Sequence, residues 1–278
     1  MRQITLHILF LWTLRLFGQT NADWAAVDRI ASAYDNDSIA VAKDFAKKFL
    51  FTTPNSKYRI GAIYYLAEIA NKQNNIDSAL ILYKQVLDFL VPDTVENNYQ
   101  NYSCKTLSEI YIDKKDFKNA IKYLYLTKKK FQYKHFCGNA YSADNKYITE
   151  LYADCYIGEK KYNKAIEILS SEMFPDGLAS NERIVDLIYS TYLKLHSKQE
   201  IKNEFLNIDK SLVIEKKKKK DYVYLEATVK IFNQKVYLPT FYLMDYQFEI
   251  APLTNQQQKQ KCIEDIKSSE IYKLTTKE

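Results

Sequence analysis

Ile63-Tyr64-Tyr65-Leu66-Ala67-Glu68-Ile69-Ala70-Asn71-Lys72-Gln73-Asn74-Asn75-Ile76-Asp77-Ser78-Ala79-Leu80-Ile81-Leu82-Tyr83-Lys84-Gln85-Val86-Leu87 is the stretch on which the fold turns. Ile63, Leu66, Ala67 and Ala70 recur at helical spacing and predict one apolar stripe. Ala79, Leu80, Tyr83, Val86 and Leu87 predict a second. Between them, Asn71 to Asp77 is polar and supplies a turn, with Asp77 placed to cap the helix that follows. The minimum reading is helix, turn, helix.

The arrangement recurs downstream. Leu107, Ser108 and Tyr111 precede Phe117 and Ala120, and Tyr152, Ala153 and Tyr156 precede Tyr162 and Ala165. Each second helix opens on an aliphatic or aromatic residue, two polar residues and an alanine: Ile76 to Ala79, Phe117 to Ala120, Tyr162 to Ala165. A small residue, Ala67, Ser108 or Ala153, stands 12 positions before that alanine. Two small residues at this separation let the helices of one pair approach closely, while bulky residues fill the gaps between pairs. Weaker pairs are expected from Trp24 to Pro54 and from Arg183 through Tyr192, Ile201 and Phe205 to Asp209.

Composition supports a helical body. Glycine and proline total 10 of 278 residues, where average usage would give roughly 33. Turn-dense sandwiches, barrels and collagen-like chains are thereby disfavoured. Hydrophobic residues at 47% and charged residues at 27% exclude wholesale disorder and a multi-span membrane protein. The net charge is +6, but only five of the 40 basic residues are arginine, the residue that bidentate phosphate and guanine recognition favours. Nucleic acid is not an expected partner. The 24 tyrosines and the preference for lysine over arginine match nucleotide bias in a source genome.

These residues resemble the tetratricopeptide repeat, which has large, small and aromatic positions on its first helix and alanine then aromatic positions on its second. Tyr83 stands at the second-helix aromatic position, and Pro54, Pro92 and Pro175 follow second helices as the family's closing proline does. The units are divergent. The alanines lie 41 and 45 residues apart against the family's 34, and the first-helix tryptophan and its glycine are missing. The run Phe49-Leu50-Phe51-Thr52-Thr53-Pro54-Asn55-Ser56-Lys57-Tyr58 followed by Ala62-Ile63-Tyr64-Tyr65-Leu66-Ala67 is similar to junctions in envelope tetratricopeptide proteins of Gram-negative bacteria. The resemblance implies a mostly α, TPR-like solenoid of about four or five helix pairs over residues 23–212, a concave face lined by first helices, and a non-catalytic protein-interaction role. It places Glu68, Glu109 and Asp154 at one groove-facing position and Tyr64, Lys105 and Glu150 at another. A groove with three acids suits lysine-rich or amide-bearing peptides. Acids at the family's clamp asparagine oppose capture of a peptide carboxylate, and the bland alternative is that they solvate helix faces.

Both ends differ from this body. Met1-Arg2, the apolar run from Ile4 to Leu14, and Gly18-Gln19-Thr20-Asn21-Ala22 have the form of a secretory signal peptide cleaved after Ala22, with Arg15 an intrusion. The expectation is an exported, periplasmic or envelope-associated protein. No cysteine near that boundary could accept a lipid, and membrane association without a transmembrane span remains open. Beyond Asp209, residues 213–278 are expected as a separate small α+β module. Lys216 to Lys220 form a run of lysines that is either a docking patch for an acidic partner or anionic lipid, or a solvated helix end or linker. Val223, Leu225, Ala227, Val229 and Ile231 alternate with Tyr222, Tyr224, Glu226, Thr228 and Lys230, which predicts a strand. Asn233-Gln234-Lys235 would turn it into a second strand from Val236 to Leu243, limited by Pro239. Its exposed edge could accept a partner's strand or pack on the last helical pair. A final helix from Asn255 to about Tyr272 would carry Cys262, Ile263, Ile266 and Ile271 on one side.

Motifs for chemistry are missing. The sequence contains no phosphate-binding glycine loop, nucleophile elbow or His-Glu-x-x-His, and no Cys-x-x-Cys. No enzyme activity, cofactor, metal or small-molecule substrate is expected. Cys104, Cys137, Cys155 and Cys262 allow three full pairings, none dictated by spacing. The expected function is an exported scaffold that binds a partner segment in the concave face. The alternative is a structural component of an envelope assembly, docked through its carboxy-terminal module.

Overall fold

The computed structural model describes residues 21–90, 98–134, 137–174, 181–219, 222–239 and 254–277. The expected signal peptide therefore lies outside the described residues up to position 20, as do Pro92 and Pro175. Residues 21 and 22 already belong to the first helix. The chain divides into two compact units, Met1–Lys134 and His135–Glu278.

The first unit contains α1 (residues 21–35), α2 (Ile39–Thr52), α3 (Arg59–Lys72), α4 (Ile76–Asp88), α5 (Tyr99–Asp113) and α6 (Phe117–Lys129). α3–α4 and α5–α6 form hairpins, with α2 packed on α3 and α4 on α5, and α1 folds back on α2, where Val27 and Ile30 share an apolar cluster with Ala46 and Phe49. Small residues make the close contacts, as their spacing predicts. Ala42, Ala67, Ala79, Ser108 and Ala120 are fully buried, and the Ser108 hydroxyl donates to the Ala120 carbonyl at 3.3 Å across the α5–α6 contact.

One turn serves every one of these hairpins. Asp37, Asn74 and Lys115 have φ of 58°, 58° and 57°. In each turn the left-handed residue's N–H donates to the carbonyl three positions back, and the next N–H to the carbonyl five positions before it: Ser38 to Ala33, Asn75 to Ala70, Asp116 to Tyr111. These two bonds satisfy carbonyls orphaned at the end of the first helix. The second helix then starts from Asn75 or Asp116, whose side chains accept from Ser78 N and Asn119 N. Asn75 therefore caps α4, and the expected cap Asp77 lies inside the first turn, where its charge complements the helix dipole.

The second unit begins with a hairpin of the same kind, α7 (Gly138–Gly158) and α8 (Tyr162–Leu169), turning at Lys160 with φ 60° and joining the buried Ala153 and Ala165. Then α9 (Glu182–Tyr192) and α10 (Lys198–Leu206) are linked differently, by a turn after Tyr192 and a capping box between Ser197 and Glu200. Strands β1 (Val213–Lys219), β2 (Tyr222–Ile231) and β3 (Gln234–Leu238) form an antiparallel sheet in that order. The chain ends with α11 (Asn255–Ser268) and α12 (Glu270–Thr276). The single final helix expected from sequence is thus two, because Ser269 is extended and caps α12 by accepting from Tyr272 N.

The sheet and the two last helices share a core with the preceding helices of the second unit. Ala227, Val229, Ile231, Val236 and Leu238 of the sheet, with Cys262, Ile266 and Ile271, join one cluster with Leu169, Ile184, Ile188, Ile201 and Phe205. The predicted alternation of β2 holds, but its lysine-rich neighbour is not a helix end or linker. Lys216, Lys217, Lys218 and Lys219 pair in β1 with Leu225, Tyr224, Val223 and Tyr222. Lysine has little strand preference of its own, and cross-strand pairing with an apolar template overrides it. The β2–β3 turn is Phe232-Asn233, both at positive φ, as a two-residue turn matched to strand twist requires. It precedes the expected Asn233-Gln234-Lys235, so β3 starts at Gln234, and positions 240–243 of the expected strand lie outside the described residues.

Candidate peptide-binding surface

In the first unit the three first helices are held side by side. Gly61, at the start of α3, permits this: a Cβ there would lie 2.6 Å from Val27 Cγ1 of α1 and 3.1 Å from the Tyr99 ring of α5. Beyond that approach a run of tyrosine rings crosses the three helices. Tyr34 of α1 lies 5.6 Å from Tyr65 of α3. Tyr64 lies 5.0 Å from Tyr99 and 6.1 Å from Tyr102 of α5. Tyr102 continues to Tyr133, at 5.6 Å between rings and 3.1 Å between hydroxyls. These separations are in the range where aromatic pairs attract beyond simple burial.

Two charged side chains sit in this run. Glu68 accepts from the Tyr83 hydroxyl at 2.6 Å and the Tyr34 hydroxyl at 3.4 Å. The carboxylate thereby pins α1, α3 and α4 together, and it is not an acid turned to open solvent. Burial, then the charge of Glu68, raises the Tyr64 and Tyr83 phenols well above 10.0; burial and Glu68 push Tyr34 up to about 12. Lys105, nearly buried, places its ammonium 5.2 Å from the Tyr102 ring centroid and 5.3 Å from that of Tyr133. Glu109 is half-buried one turn further along α5.

In the second unit, Glu150 and Asp154 stand one turn apart on α7. Arg183 of α9 bridges them, with Nε 3.0 Å from Glu150 and Nη2 2.6 Å from Asp154. Burial raises both carboxyls above their ordinary values, and the guanidinium opposes the rise.

Of the six expected groove residues, the structure gathers Tyr64, Glu68 and Lys105 into the tyrosine run of the first unit. It clamps Glu150 and Asp154 in the second. What the repeat register did not supply is their partners: Tyr34, Tyr65, Tyr99, Tyr102, Tyr133 and Arg183. The Tyr64-Tyr65 doublet and the Tyr99 and Tyr102 pair, three apart on one helix face, carried that signal within a general excess of tyrosine.

Among the described residues no group of three or more His, Cys, Asp or Glu could hold a metal ion. None of the four cysteines is in a disulfide, and burial pushes Cys104 and Cys155 up to about 12, away from thiolate reactivity. No helix among the described residues is long and apolar enough to cross a membrane.

No protein-family model matches the chain, and no curated protein matches it. Two solved structures are similar in shape: a Podosopora anserina protein described as a putative kinesin light chain with nearly identical TPR-like repeats, and a form of the same protein carrying a single substitution. Each is 15% identical, with a TM-score of 0.45, covering 63% of this chain and 88% or 87% of the other. At that identity and score neither assigns this chain a family or a partner. The TPR-like description rests on the chain's own features: repeated hairpins, a shared turn, and small residues at the close contacts.

Proposed function

We propose that this chain is a non-catalytic protein-interaction scaffold, exported to the periplasm or cell envelope of a bacterium, that receives an extended, amide-rich segment of a partner protein across α1, α3 and α5. The observation that carries the reading is the half-buried tyrosine run from Tyr34 to Tyr133. Its ring faces stack on flat or aliphatic groups, and its phenol hydroxyls exchange hydrogen bonds with backbone and side-chain amides. Glu68 and Lys105 already have partners, so their role is to orient the phenols. Glu109, half-buried one turn beyond Lys105 on α5, adds negative charge beside the run and favours a segment that carries basic residues.

Capture of partners from an envelope extract tests this, with Tyr102→Phe and Tyr133→Phe combined so that rings are kept and hydroxyls lost. We expect yield to fall about tenfold, the effect of leaving amides unpaired in a contact. Tyr125→Phe, at an exposed position of α6, serves as control and should retain the partner. Equal capture by all three proteins would contradict the reading. Export is tested by intact mass, which should lack residues 1–22.

A further inference from the structure

The lysine strand offers a second kind of surface. Among the described residues β1 lies at one edge of the sheet, because the order is β1-β2-β3. The opposite edge strand, β3, has the turn Ser170–Glu172 packed against it. An edge strand presents unpaired backbone donors and acceptors that can template a further strand. On β1 they are accompanied by a one-sided charge. Lys216 and Lys218 share the face of Ile214, opposite Leu225 and Val223, yet both are exposed, and neither has an ion-pair partner among the described residues. On the other face, Lys217 is bound to Glu215 at 2.5 Å and Lys235 to Glu226 at 3.0 Å. Those acids are neutralised where they stand and do not offset Lys216 and Lys218.

This pattern selects an occupant. A second copy of β1 would set lysines opposite lysines, and like charges directly opposed are destabilising. An apolar strand would leave both ammonium groups beside it without compensation. We propose that the β1 edge accepts an extended segment of a partner protein with acidic residues at every second position, added as a fourth strand. Alternation puts those acids on the single face carrying Lys216 and Lys218, while main-chain hydrogen bonds supply the affinity. This docking surface is independent of the tyrosine run.

The test uses the full chain and a synthetic peptide of alternating glutamate and valine, with two relatives: the same residues in separate blocks, and the alternating peptide N-methylated along one edge. Amide exchange in β1 is followed during titration. The alternating peptide should slow exchange of β1 amides. The blocked and N-methylated peptides should bind at least about tenfold more weakly, since register and backbone pairing are what they lack. Lys216→Glu combined with Lys218→Glu, at exposed positions that leave the core intact, should weaken binding by a similar factor, as should raised salt.

Equal binding of all three peptides would reduce the contact to diffuse charge and overturn the proposal. So would protection, already present in the free protein, of the alternate β1 amides that point away from β2, or protection of those amides that grows with protein concentration. Binding to phosphatidylserine vesicles through the same lysines, without binding of the alternating peptide, would assign the strand to a membrane surface instead.

Discussion

Two single positions show how local conformation is settled by distant contacts. Gly61 is helical and would ordinarily be improved by alanine, which gains about 1 kcal/mol of helix propensity. Here the added methyl would fall 2.6 Å from Val27 Cγ1 and 3.1 Å from the Tyr99 ring. Such overpacking costs about 1–3 kcal/mol, so Gly61→Ala should lower the denaturation midpoint; a rise would show that α1 and α5 are less tightly held than described. Lys115 is the converse case. It occupies the left-handed region at φ 57°, where a side chain costs roughly 1–2 kcal/mol. Glycine removes that strain and returns part of the gain as unfolded-state entropy. Lys115→Gly should stabilise by about 0.5–1 kcal/mol, read as a higher midpoint with unchanged slope.

At the scale of elements, the hairpins were legible because close helix contacts demand small residues, and Ala67 with Ala79, Ser108 with Ala120 and Ala153 with Ala165 lie 12 apart. The turn's left-handed residue was less so, since aspartate, asparagine and lysine fill it in place of the glycine that usually marks it. β1 was not legible: a lysine run has no period, and its strand state is imposed by pairing with β2. The acids of the candidate surface were located by repeat register, but their environments depend on partners 15 to 34 residues away, such as Tyr83 and Tyr34 for Glu68. The Arg183 clamp between α7 and α9 makes this testable. Because the folded protein raises the Glu150 and Asp154 carboxyls, their contribution favours the fold below ordinary carboxylate values and is lost as pH rises through the raised ones. Removing the opposing guanidinium enlarges that loss. Arg183→Met should cost about 1 kcal/mol at neutral pH, moderated by the exposure of Arg183, and much less near pH 4, by thermal unfolding at the two values; an equal cost at both would show that the clamp carries no such linkage.

For the whole molecule, each unit has its own apolar clusters, and the first is dense in partly buried phenols. Tyr34, Tyr64, Tyr65, Tyr83 and Tyr99 are all raised above 10.0, chiefly by burial. The unfolded chain ionises its phenols near 10 while the folded unit holds its protons, so stability falls as pH rises from about 10 toward about 12. Phenolate absorbance from the first unit should appear together with loss of helicity. Phenolate forming near pH 10 with helicity intact would mean that these rings are open to water.

The same ring run underlies the proposed scaffold role, and site-specific photo-crosslinking tests that role most directly. A benzophenone side chain placed at Tyr102, within the run, is compared in living cells with one at Tyr125 on the exposed side of α6. Binding across the first helices predicts a discrete protein crosslink from position 102, competed by its purified extended segment, and none of comparable yield from position 125. Crosslinks of equal yield and identity from both positions, or from 125 alone, would contradict binding across the first helices.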